Sequence, residues 1–131
     1  MKMKYFYKLL ILAVIILSST FTASARNSAN NIVYNLEEEN GVLVGQTLYK
    51  QEGKMLSQYI RYNYTYDKNN RIVESNILKW NNASNKWDKC LTVRYLYDGQ
   101  DVSTRSYKWN KQYEEYELMP KFNTEFTDPS L

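Results

Sequence analysis

Histidine is missing from all 131 residues. That absence removes the commonest general base, the commonest metal ligand, and every nucleophile pair in which a histidine activates serine or cysteine. Cysteine occurs once, at Cys90, so the chain forms no internal disulfide and no thiolate zinc site. The four glycines are too few for a phosphate-cradling loop. No nucleic-acid motif is present, and neither metal nor cofactor is expected. Stability must therefore come from packing, and 11 of the 13 tyrosines and all three tryptophans lie beyond residue 25 to supply it.

Long apolar runs are absent except at the start. There MKMKYFYKLLILAVIILSSTFTASA sets lysines at 2, 4 and 8, an apolar run from Leu9 to Leu17, and the small triplet Ala23-Ser24-Ala25. Basic, apolar and A-x-A segments in that order are a secretory signal peptide, with cleavage expected after Ala25. The competing reading is an uncleaved anchor, because Tyr5 to Phe21 approaches the roughly 17 residues that span a bilayer. No cysteine follows the run to accept a lipid. Lys2, Lys4 and Lys8 account for the whole formal excess of +3, so residues 26–131 are neutral. A neutral chain carries no electrostatic footprint for nucleic acid or anionic lipid. The expected location is secreted, periplasmic or cell-envelope, with no stable membrane insertion after cleavage.

What remains is the right length for one domain, and it is patterned. YNYTYD at Tyr62 to Asp67 is answered by YLYD at Tyr95 to Asp98, and Leu78-Lys79-Trp80-Asn81 by Tyr107-Lys108-Trp109-Asn110 twenty-nine residues on. A weaker upstream copy sets Leu48-Tyr49-Lys50 and Val33-Tyr34-Asn35 in the same places. Self-similarity at about 30 residues suggests a stacked supersecondary unit. From Leu56, the residues Leu56, Ile60, Tyr62, Tyr64 and Tyr66 alternate with polar ones, as do Leu91, Val93, Tyr95 and Tyr97. Period two with aromatic and β-branched residues means half-buried strands.

Asp67 to Asn70 and Asp98 to Asp101 read as turns at one end of these strands; Asn81 to Lys86 and Asn110 to Gln112 read as turns at the other. Glu52-Gly53 is a further candidate. The expected fold is all-β: an antiparallel meander of about six strands, or seven if Ile32 to Leu36 joins, built from two-strand repeats. A sheet without a helix must curl or fold into a sandwich or open barrel to bury one face. The chain divides into a signal peptide at 1–25, a lead segment at 26–41, the meander at 42–119 and a tail at 120–131.

The run YTYDKNNRI at Tyr64 to Ile72 is similar to the tyrosine-aspartate repeats of large bacterial shell proteins. That resemblance implies wound β-sheet and nothing about activity; Asn70 stands where those repeats carry glycine, and YLYDGQDV lacks the arginine. With its leader, its length and its paired YD and KWN elements, the whole chain resembles a family of small secreted proteins of unknown function from Bacteroides-type gut bacteria. The family implies no role for any residue.

Four aromatic residues near turns are the candidate binding site: Trp80, Trp87, Trp109 and Tyr113. Trp80 and Trp87 flank one turn, and Trp109 and Tyr113 the next, so they serve either as hairpin clasps or as a stacking surface for glycan. The tyrosines of YNYTYD and YLYD read more readily as core. Carboxylate pairs such as Asp67 with Asp98, or Glu114 with Glu115, have turn and surface roles to explain them, so no catalytic residue is assigned. The opening Asp67-x-Asn69-Asn70 lacks the glycine and distal glutamate of a calcium loop. Alternation sets Cys90 with Thr92 and Arg94 on the polar side of its strand, as a small strand residue or else an intermolecular thiol. The function expected is a non-catalytic binding protein whose partner is a glycan or an envelope protein. The alternative is a self-associating sheet joined through an edge strand or Cys90, and a carboxylate glycosidase is a distant third.

Overall fold

Turn residues cut the chain into strands. The computed structural model describes residues 31–131; the expected signal peptide and its cleavage point at Ala25 lie outside them. Asn40 and Gly41, both at positive φ (51° and 77°), join β1 (Ile32–Glu39) to β2 (Val42–Glu52). Two central residues at positive φ are what a type I′ hairpin needs. Gly53 at φ 62° opens the turn into β3 (Met55–Tyr66), and Gly99 at φ 59° links β5 (Lys86–Asp98) to β6 (Asp101–Asn110).

Between β3 and β4 (Ile72–Asn81) the side chain of Asp67 organises the turn. Its Oδ1 accepts from the N–H groups of Asn69 at 2.8 Å and Arg71 at 3.0 Å, and its Oδ2 meets the Arg71 guanidinium at 2.8 Å. Slight desolvation works against the ionised form, but the Arg71 and Asn69 donors outweigh it and hold the carboxyl below its ordinary pKa. Asn70 takes φ 56°, the conformation that glycine would otherwise supply. Asp67→Ala is expected to cost about 1–2 kcal/mol of stability, measured by urea unfolding, because two turn donors lose their acceptor. The loss should shrink as the pH of the measurement is lowered through the folded-state pKa of Asp67, since protonation removes the same interaction.

The strands pair in sequence order from β1 to β7 (Glu115–Leu118), all antiparallel. After a 3-10 turn at Pro120–Phe122, β8 (Thr124–Thr127) returns to β6, so β7 and β8 lie end to end along the same side of that strand. The expected all-β meander is what forms. Among the described residues it has eight strands rather than six or seven because the Asn40-Gly41 turn brings in β1 and the tail supplies β8. Pro120 interrupts this edge without ending it: the Ser106 N–H donates to Asn123 Oδ1 at 3.2 Å and Ser106 Oγ to the Phe122 carbonyl at 3.2 Å, bridging the gap.

One face carries the core. Tyr62 lies opposite Ile77 and then Leu91; Tyr64 opposite Ser75, then Val93; Tyr97 opposite Val102, then Phe126. Tyr62, Tyr64, Ile72, Ile77, Leu91, Val93, Tyr95 and Val102 are buried, together with Leu43. Among the described residues no second sheet covers them and β1 does not close on β7, so the sheet is neither a sandwich nor a closed barrel. Long tyrosine side chains cover the core instead. The Tyr62 and Tyr64 rings stack with centroids 6.4 Å apart, and the Tyr66 and Tyr97 hydroxyls reach back to donate to the carbonyls of Leu43 and Ile72.

Register shifts sharpen this wrap. The ladders skip one residue at Val44 in β2, Tyr59 in β3, Val73 in β4 and Cys90 in β5. Each bulge adds local twist and bend to its strand. The bulge at Cys90 also corrects the expectation from strict alternation: the thiol packs against the core beside Leu91 rather than joining Thr92 and Arg94. Burial pushes its pKa up, with Lys79 and Lys108 pulling the other way.

Candidate aromatic binding face

Two hairpins at one end of the sheet are built alike. Asn81 precedes a four-residue loop, and its Oδ1 accepts from the N–H groups of Ala83 at 3.0 Å and Ser84 at 3.2 Å. Asn110 precedes another, and its Oδ1 accepts from Gln112 at 2.9 Å and Tyr113 at 3.2 Å. Each asparagine also donates across its hairpin, Asn81 to Asp88 at 2.7 Å and Asn110 to Glu117 at 2.5 Å. The last loop residues, Asn85 and Glu114, take φ 52° and 53°.

These loops determine which rings meet. Trp80 and Trp87 are directly paired, edge to face at 5.1 Å. The second loop runs two residues beyond the expected turn, so Tyr113 sits within it, exposed, and Tyr116 faces Trp109 at 4.9 Å. The asparagine cap is the reason: its carboxamide oxygen needs N–H groups two and three residues ahead, and that reach requires four loop residues. Tyr116 is the ring that reading by turn position misses. The signal that finds it is Asn110, placed as Asn81 is, which sets Tyr116 at the place of Trp87.

Lys89 joins the two pairs. It lies opposite Leu78, two residues from Trp87, and its ammonium stands 4.2 Å from the centre of the Trp109 ring. Trp80, Trp87, Trp109 and Tyr116, all partly exposed, therefore form a row on β4 to β7 with a cation over one ring. An ammonium in that position gains from the ring quadrupole by about 0.5–1 kcal/mol at an exposed site.

Elsewhere this face carries paired polar side chains, unlike the tyrosine face. Arg61 meets Glu37 at 2.7 Å and Thr47 at 3.3 Å, Thr92 donates to Asn76 at 2.7 Å, and Arg94 lies between Glu74 and the Tyr107 ring. Gly45 makes room for the first of these pairs: a Cβ there would stand 3.1 Å from Glu37 Oε2 and 3.4 Å from the Tyr62 carbonyl.

The other residues weighed for chemistry are dispersed. Asp67 is committed to its turn, Asp98 opens the Gly99 hairpin, Glu114 is a loop residue and Glu115 begins β7. Among the described residues no three histidine, cysteine or acidic side chains gather to hold a metal ion. No helix among them is long and apolar enough to cross a membrane.

A family model described as a family of unknown function, DUF3836, matches residues 1–125. The chain belongs to the DUF3836 family. A crystal structure of a DUF3836 protein from Bacteroides vulgatus is 43% identical, covers 73% of this chain and 98% of its own, and superposes with a TM-score of 0.70. A second DUF3836 structure, from Parabacteroides distasonis, is 24% identical over 76% of this chain and 91% of its own, with a TM-score of 0.64. A protein of unknown function from Bacteroides fragilis is 22% identical over 66% of this chain and 65% of its own, with a TM-score of 0.62. The last two share the fold. No curated protein matches the chain.

Proposed function

We propose that this DUF3836 protein is a non-catalytic binding module of the cell envelope or extracellular space, and that it holds glycan on the aromatic row. The row itself carries the reading: three rings and Tyr116 stand on one face of four consecutive strands, at an end of the sheet where loops leave them open. Sugar rings offer C–H faces that stack on indole, while their hydroxyls need polar partners. Lys89 supplies a donor within the row. The clasp and binding roles are compatible, because an edge-to-face pair leaves part of each ring surface turned outward. The leader at residues 1–25 supports an address outside the cytoplasm, and the lack of histidine favours binding over catalysis.

The test is a glycan array probed with the wild-type protein, Trp109→Ala and Lys89→Ala, each checked for folding by circular dichroism. The wild type should bind a restricted set of glycans, and folded Trp109→Ala should bind about tenfold or more weakly, as for a central aromatic anchor. Binding unchanged by Trp109→Ala would move the site elsewhere. Turnover of any bound glycan, lost on replacing a carboxylate, would overturn the non-catalytic assignment.

A further inference from the structure

The two edges of the sheet are built differently. At one, β7 and β8 are four residues each and are separated by the Pro120–Phe122 turn. Short strands and proline are devices by which natural sheets blunt an edge. At the other edge β1 runs eight residues, IVYNLEEE, with no proline, glycine or lysine. Val33, Tyr34 and Leu36 are exposed on it, and successive residues point to opposite faces, so both faces present apolar side chains.

Among the described residues β1 pairs with β2 alone. The Gln51 N–H donates to the Asn31 carbonyl at 2.8 Å, which makes Asn31 and Gln51 a hydrogen-bonded pair. In an antiparallel ladder such pairs alternate with non-bonded ones. Asn31, Val33 and Asn35 therefore direct their backbone groups at β2, and Ile32, Tyr34 and Leu36 direct theirs outward.

We propose that β1 pairs with β1 of a second copy of this chain, antiparallel about a two-fold axis at Asn35, so that two sheets join edge to edge. Outward backbone groups must meet outward groups, and centring on Asn35 does this by placing Tyr34 opposite Leu36 of the second copy, twice over. That aromatic–aliphatic contact is of the kind that stabilises adjacent strands. The same register sends Glu37 and Glu38 to positions opposite Val33 and Ile32 of the second copy, so no glutamate faces a glutamate. A strand whose apolar centre and acidic end complement their own reverse is suited to an isologous contact, the commonest kind in homo-oligomers. Cys90 has no part in it, and neither does the aromatic row.

Light scattering and directed cross-linking test this. The wild type should show twice the chain mass, and Leu36→Pro should show the monomer mass, since proline removes an N–H that points away from β2 and spares the β1–β2 ladder. In a Cys90→Ser background, oxidation of Asn35→Cys should link two copies, because it meets itself across the axis. Val33→Cys should not, because its counterpart lies four residues along the strand, beyond disulfide reach. Monomer mass at every concentration, or equal linking at Val33 and Asn35, would overturn the proposal. If Leu36→Pro fails to fold, the contrast between the two cysteine positions decides alone. Glycan binding can fail without touching this result, and the reverse holds too.

Discussion

Tyr62→Ala is expected to lower the unfolding free energy by about 3–5 kcal/mol, the range for deleting a large buried ring. Tyr62 is 3% exposed, stacks on Tyr64 and lies opposite Ile77, with Leu91 next along the row. A sandwich would let a second sheet settle onto the gap. The described residues provide none, so Ile77 and Leu91 would face water once the ring is gone. The change corresponds to a fall in Tm of roughly 15–30 °C for a domain of this size. Met55→Ala is the control: at 77% exposure it should change stability by less than about 0.5 kcal/mol. Urea and thermal unfolding of the two variants measure the contrast. A Tyr62→Ala protein as stable as the Met55 control would mean that the tyrosine face is not the core.

Alkaline solution should unfold the protein cooperatively, starting just above pH 10. Burial, helped by Tyr59 and Cys90, pushes the Tyr62 phenol up to about 12. Burial also raises Tyr64, Tyr95 and Tyr97 above the ordinary phenol value. The sign follows from proton counting. Between the unfolded and folded pKa values the native state holds protons that the unfolded state has released, so stability falls as pH rises. The contribution is intact below about pH 10 and is lost as pH climbs through the folded values. Tyr62 alone accounts for about 2–3 kcal/mol by pH 12, and a domain with a total stability of about 5–15 kcal/mol has little room for four such groups. Tyrosinate absorbance and far-ultraviolet circular dichroism should therefore change together, and Tyr62→Phe should move the midpoint to higher pH. Full ionisation with the sheet intact would contradict the burial of these rings.

The strands from β3 to β6 were legible because their causes are local. Alternation from Ile60 to Tyr66 and from Leu91 to Tyr97, and the turn residues Asp67, Asn70 and Gly99, act over a few residues and leave their mark in order along the chain. β1 was only half visible. Asn40-Gly41 is the strongest short hairpin signal in the sequence, yet the boundary between residues 41 and 42 separates the two strands that it joins. Pro120 marks a local break in strand pairing at the start of the tail, but Ser106 and Asn123 bridge that break and β8 resumes beside β6.

The candidate site was legible in kind and displaced in detail. Trp80, Trp87 and Trp109 stand at hairpin ends as expected, while Tyr113 yields its place to Tyr116 because a side-chain cap lengthened the loop by two residues. Lys89 carried no pattern of its own. It reaches Trp109 because β5 and β6 are neighbours and because the bulge at Cys90, which shifts the register of β5 against β4, sets Lys89 opposite Leu78 on the aromatic face.

Composition and short-range order alone determined that this is an antiparallel all-β meander without histidine chemistry, with tyrosines on alternate positions and asparagine, aspartate and glycine at the turns. Tertiary structure decided that the described residues form one open sheet, which rings meet, and which edge strand runs long without a proline break. Turn and strand preferences depend on a residue and its near neighbours, whereas a bulge inverts every side chain beyond it, and its place is settled by what the adjoining strands can pack against.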